Sequence, residues 1–164
     1  MSKPKNKIKN EPHKNTANPA EKPFKIKYPA ILLILAIVLV YAVSISFGYT
    51  ELDDSIFIRQ YHEYNENLSN LVTSFHRGVF DATQDVYYRP LFLDSMILNY
   101  AISEDNIAGY HLVNILMHII AVLLLFKLFK KLNISELHAF ILCLIFAIHP
   151  VLSQAVAWIP GRND

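Results

Sequence analysis

Residues Tyr28 to Thr50 read YPAILLILAIVLVYAVSISFGYT, 23 positions without one charged side chain. A helix rises about 1.5 Å per residue, so roughly 20 apolar residues cross the hydrocarbon core of a bilayer. The run is too long for the roughly 7 to 15 residue core of a cleaved signal peptide. No small-residue cleavage site follows in Ser44-Ile-Ser-Phe-Gly-Tyr49 either, so it reads as an uncleaved span.

Two further uncharged stretches follow, residues 106 to 126 and residues 137 to 161. With 53% hydrophobic residues, four glycines and charges gathered into blocks, the composition excludes a soluble domain. The expected fold is an all-α integral membrane protein. Its spans fall at about 28–50, 106–126 and 137–158, with interfacial helices in the loop 51–105 between the first two. In lipid every backbone polar group must be satisfied within the segment, which selects helices for all three.

Lysine and arginine set the orientation, because they are retained on the cytoplasmic side. Lys3, Lys5, Lys7, Lys9, Lys14, Lys22, Lys25 and Lys27 precede the first span, and Lys127, Lys130 and Lys131 follow the second. The loop 51–105 instead holds ten acids against Arg59, Arg77 and Arg89. The N-terminus is therefore expected in the cytoplasm and the loop outside it, in a bacterial inner membrane. The segment 1–27 is rich in Lys, Asn and Pro and has too few apolar residues for a core, so it reads as a basic disordered tail. The single cysteine, Cys143, lies in the third span, has no partner for a disulfide, and reads as packing.

The outer loop carries the candidate chemistry. Asp53 and Asp54 stand just beyond the first span, where water, lipid and phosphate meet; deeper burial in hydrocarbon would cost roughly 2.5 to 3.5 kcal/mol per charge. Pro90 to Ile102 has Leu91, Leu93, Met96, Ile97, Tyr100 and Ala101 largely on one side, the pattern of an amphipathic interfacial helix. Pro90 suits its first turn, Tyr87 and Tyr88 suit headgroup level, and Arg89 points to where phosphates lie. In the second span His111, Asn114 and His118 are spaced i, i+3 and i+7, so they share a face and are expected to bond to other helices. The two histidines are about 10.5 Å apart in rise, too far to share one metal ion. In the third span, His149-Pro150 is expected to kink or end the helix. That break puts His149 and Arg162 on the side of Asp53 and Asp54.

Asp53-Asp54-Ser-Ile-Phe57, Tyr88-Arg-Pro-Leu91, Leu98-Asn-Tyr-Ala101, the run from Gly109-Tyr-His through Val113-Asn114 to His118, His149-Pro-Val151, Ala155-Val-Ala-Trp158 and Gly161-Arg-Asn-Asp164 occur in this order. The ordered set, covering about residues 48 to 164, resembles the N-terminal part of membrane O-mannosyltransferase-like proteins that carry tetratricopeptide repeats, of the glycosyltransferase C fold. The resemblance implies further spans and a helical-repeat tail, so the chain reads as a fragment that is inactive alone. It also implies a mannose-like sugar carried on a polyprenyl phosphate, an acceptor hydroxyl on a protein or glycan, and no tightly bound cofactor. Asp53 or Asp54 is then the expected base, and Arg89, His149 and Arg162 the expected partners of the donor phosphate.

Two positions depart from the expected family pattern. Ser55 follows the doublet where a third acid is expected, and Gln154 stands where an acid is expected after His-Pro. A divalent metal is left open by the doublet, because adjacent carboxylates are also common at helix ends. The alternative reading, from another class, is a non-catalytic three-span subunit or lipid-binding assembly protein joined to partners through His111, Asn114 and His118.

Overall fold

The computed structural model describes residues 25–50, 53–80 and 87–163. Most of the basic tail, together with Glu51 and the acids of 81–86, lies outside the described residues. Among the described residues all regular structure is helical, as the periodicity predicts.

The first span is helix α1, Pro29–Tyr41, with Pro29 in its first turn, where the missing N–H is harmless. It tightens into a 3-10 turn over Ala42–Ser46. There Ser44 Oγ donates to Tyr41 O at 2.8 Å and Ser46 Oγ to Val43 O at 2.7 Å, so both hydroxyls are satisfied within the turn. A π-helical turn over Ser55–Gln60 opens the outer loop. The short helices α2, His62–Glu66, and α3, Asn70–Thr73, follow it. Helix α4, Pro90–Ser103, covers the expected segment, but its buried face differs from the expected one: Phe92 and Asn99 join Leu93, Met96 and Ile97 on it, and Leu91 and Ala101 are exposed. Its Phe92, Leu93, Met96 and Ile97 are buried, while Leu91 and Ile102 are 75% and 80% exposed.

Helix α5, Ile107–Lys131, is the second span. It runs past residue 126 because Lys127, Lys130 and Lys131 sit in or beside its last turn, where cations suit the helix dipole and long stems reach the interface. Ser135 caps helix α6, Glu136–Ile148. The helix stops at His149-Pro150, and after a 3-10 turn helix α7, Ser153–Ala157, departs at 47°. The two helices reach the length of a span only when taken together across this bend, which falls where the proline predicts.

Two cores result. Leu33, Ile37 and Tyr41 of α1 pack with Ile115 and Val122 of α5, Cys143 and Ala147 of α6, and Val156 of α7 to form the bundle in the membrane. Phe57, Ile58, Val79, Phe92, Leu93, Met96, Tyr110 and Ile159 form a second core, in which the loop between the first two spans sits on the N-terminal end of α5. The outer surfaces of α1, α5 and α6 remain apolar, with Leu39 83% and Leu124 58% exposed. Such a surface belongs against acyl chains or other spans rather than water.

Candidate active site

Residues of the ordered set form separate groups: Asp54 and Trp158 meet through Thr50, Arg162 meets Ser95, Asn99 and Tyr110, and Asp54 does not line the cavity that Arg89 and Arg162 share. Thr50 follows the 3-10 turn after α1, and Asp54 immediately precedes the π-helical turn. Thr50 donates to Asp54 Oδ2 twice, from its backbone N–H at 2.8 Å and its hydroxyl at 2.7 Å. The indole N–H of Trp158 in turn donates to Thr50 Oγ1 at 3.2 Å. A carboxylate held by two charge-assisted bonds has one fixed rotamer. Asp54 is 1% exposed, and among the described residues its Oδ1 has no hydrogen-bond partner. A buried, bare carboxylate oxygen is costly to fold. Asp53 is only half-buried.

His111, Asn114 and His118 all face protein, as the spacing predicts. Asn114 Nδ2 donates to Trp158 O at 2.9 Å and to Val156 O and Ile159 O at 3.3 Å. His118 Nε2 donates to Ala147 O at 2.9 Å. Asn114 thereby holds the chain that carries Trp158, and His118 holds α6 one turn before its break. His111 packs edge-on against Phe47, with ring centroids 6.2 Å apart, but among the described residues its ring nitrogens make no hydrogen bond, so the helix-to-helix bond expected of it is not formed.

The expected phosphate partners divide. Arg162 donates to Asn99 Oδ1 at 3.0 Å, Tyr110 O at 3.2 Å, Ile159 O at 3.3 Å and Ser95 O at 3.4 Å, clasping α4, α5 and the C-terminal turn. Burial lowers its pKa to about 10, against the Tyr110 contribution that raises it, so it remains a guanidinium cation at neutral pH. One edge of Arg162 still lines a cavity of about 610 Å³, shared with Tyr88, Arg89, Phe92, Ser95 and Met117. Arg89 and Arg162 are therefore brought together, 73 residues apart in sequence. His149 is not: it lines a separate, apolar cleft of about 280 Å³ with Phe146, Val151 and Leu152. Its Nδ1 accepts from Val151 N at 3.2 Å, which caps the turn at the break.

Thr50, Trp158 and Asn99 were not singled out by the sequence as site residues. Trp158 and Asn99 lie within motifs of the ordered set, and that membership was the available signal; Thr50 is separated from Asp54 by four positions and has no such mark. Gln154, one of the two departures, lies beside Thr50, Phe47 and Trp158 on a cleft of about 530 Å³. Among the described residues no group of three or more His, Cys, Asp or Glu side chains is placed to hold a metal ion.

The chain is similar in sequence to curated protein O-mannosyl-transferases of animals. It is 41% identical over 102 residues, 62% of this chain, to human protein O-mannosyl-transferase TMTC2, of which the match covers 11%. It is 39% identical over 91 residues to a protein O-mannosyl-transferase of Caenorhabditis elegans, covering 54% of this chain and 13% of that protein. Identity to Drosophila melanogaster Tmtc1 is 34% over 99 residues, 59% of this chain and 12% of the relative. The chain thus spans only about an eighth of the length of these relatives. No family model and no solved structure matches it.

Proposed function

We propose that this chain supplies the acceptor-activating part of a membrane glycosyltransferase that moves a mannose-like sugar from a polyprenyl phosphate to a hydroxyl of a protein serine or threonine. The relatives' names support the reaction class. The observation that carries the residue assignment is Asp54, a carboxylate fixed through Oδ2 by Thr50 and left bare at Oδ1.

In this reading Asp54 Oδ1 takes the proton of the acceptor O–H, and the oxygen attacks the anomeric carbon of the sugar. The bond from that carbon to the phosphate oxygen breaks, and the lipid phosphate leaves with the electron pair and growing negative charge. Arg89, together with the cavity-facing edge of Arg162, meets that charge. Preorganised donors of this kind are commonly worth about 3 to 4 kcal/mol each. Asp53, on the same turn but less enclosed, shapes the field around the base. Orientation follows from the lysines: the outer loop lies outside the cytoplasm, as in a bacterial inner-membrane enzyme.

The test is donor identity. Membranes containing the gene product are given a serine- and threonine-containing peptide and either radiolabelled mannosyl-phosphoryl-polyprenol or radiolabelled GDP-mannose, with synthesis of the lipid donor blocked. Label reaching the peptide from the lipid donor alone supports the reading. Transfer from GDP-mannose while lipid-donor synthesis is blocked contradicts it.

A further inference from the structure

The opposite end of the bundle carries a feature that the glycosyltransferase reading does not use. The chain leaves α5 through Asn133, whose φ of 61° lies in the left-handed region that asparagine tolerates well, and turns directly into α6. The segment before α1 is drawn to this turn: Ile26 N donates to Glu136 Oε1 at 3.0 Å, although 110 positions separate the two residues. Glu136 Oε2 also pairs with Lys130 Nζ at 3.5 Å. A cleft of about 470 Å³ opens between these parts, lined by Lys25, Lys130, Asn133, Ser135, Glu136 and the side chains of Ile134 and Leu137.

Five lysines, Lys25, Lys27, Lys127, Lys130 and Lys131, gather at this end from two parts of the sequence, against Glu136 alone among the described residues there. Glu136 is engaged by Ile26 N and Lys130, so it fixes the cleft walls rather than filling the cleft. Hydroxyl and amide groups line the cleft beside ammonium groups and two apolar side chains, at a helix turn that the lysine distribution puts at the cytoplasmic membrane surface. A group bound there must be anionic at its head, a hydrogen-bond acceptor, and continuous with acyl chains along α1 and α6.

We propose that this cleft is a binding site for the headgroup of one anionic phospholipid, its phosphate between Lys25 and Lys130. Each lysine near a surface contributes about 1 kcal/mol to attraction of anionic lipid, so removing two should weaken binding roughly thirtyfold. The inference does not depend on the proposed sugar transfer, since it concerns the other end of the bundle and has its own readout.

The test uses the full chain purified in neutral detergent and titrated with dioleoylphosphatidylglycerol, dioleoylphosphatidylcholine or inorganic phosphate. Thermal unfolding and native mass spectrometry of retained lipid are read together. A saturable rise in Tm with one retained phosphatidylglycerol, absent with phosphatidylcholine, is expected. The double variant Lys25→Gln, Lys130→Gln should lose it, whereas Lys25→Arg, Lys130→Arg should keep it. Lys5→Gln, Lys7→Gln removes the same charge from the tail and should also keep it. Equal loss in the tail variant would mean diffuse attraction to basic charge and overturn the site. A full response to inorganic phosphate would overturn the lipid assignment, and no response to phosphatidylglycerol would overturn both.

Discussion

At the scale of single residues, Asp54 owes its orientation to a side chain four positions away. Thr50 gives Oδ2 both a backbone and a hydroxyl donor, and a charge-assisted hydrogen bond is worth about 1.5 to 3 kcal/mol. Thr50→Val keeps the shape and removes the hydroxyl, so kcat for sugar transfer should fall roughly 10- to 100-fold with little change in KM. Thr50→Ser should restore it, and a Val variant with unaltered kcat would remove Thr50 from the mechanism. Asn114 acts structurally, its amide serving carbonyls of residues 156, 158 and 159. Asn114→Leu leaves those acceptors buried without that donor and should cost about 1 to 3 kcal/mol, read as a lower Tm with membrane insertion intact. The inward face of His111, Asn114 and His118 was legible from spacing alone. The Thr50 contact was not, because nothing in a period-3.6 pattern marks a hydroxyl that bonds across a helix break.

At the scale of elements, two glycines mark close approaches between elements. A Cβ on Gly161 would sit 2.2 Å from the backbone oxygen of Gln154 in α7, and one on Gly109 would meet Ser103 at the end of α4, 2.1 Å from its hydroxyl oxygen and 2.5 Å from its Cβ. Rotating the serine moves its hydroxyl but not its Cβ, so backbone must shift at both positions. Gly161→Ala and Gly109→Ala should therefore each lower stability by about 1 to 3 kcal/mol, the first also loosening the Arg162 clasp. An unchanged Tm for either would contradict this packing. The break at His149-Pro150 was readable in the sequence, as proline removes a helical donor. That His149 caps its own turn and lies in a cleft apart from Arg89 and Arg162 was not, because a bend of 47° redirects the chain in a way that linear order does not encode.

At the scale of the molecule, the core built on residues 57–110 and 159 lies at one end of the helix bundle and Lys25, Lys27, Lys127, Lys130 and Lys131 gather at the other. Uncharged length carried the apolar helices, since it reports directly on the cost of putting charge in hydrocarbon. The second core, built from Phe57, Val79 and Phe92 against Tyr110 and Ile159, rests on contacts far apart in sequence and could not be read from it. Cys143 is buried, so cysteines introduced elsewhere can be followed with an impermeant thiol reagent in intact cells. Val72→Cys, at a position 70% exposed, should react, and Lys130→Cys should not. Labelling at position 130 would invert the topology and place Asp54 in the cytoplasm.

In the proposed function the carboxylate of Asp54 activates a hydroxyl for attack on a lipid-linked sugar. The decisive quantity is the rate of radiolabelled mannose transfer from mannosyl-phosphoryl-polyprenol to a serine- and threonine-containing peptide, comparing membranes with the wild-type gene product and with Asp54→Asn. Loss of a general base is expected to cost at least the roughly 100- to 10,000-fold typical of such groups, with equal amounts of inserted protein. Transfer by Asp54→Asn at the wild-type rate would contradict a role for this carboxylate as the base.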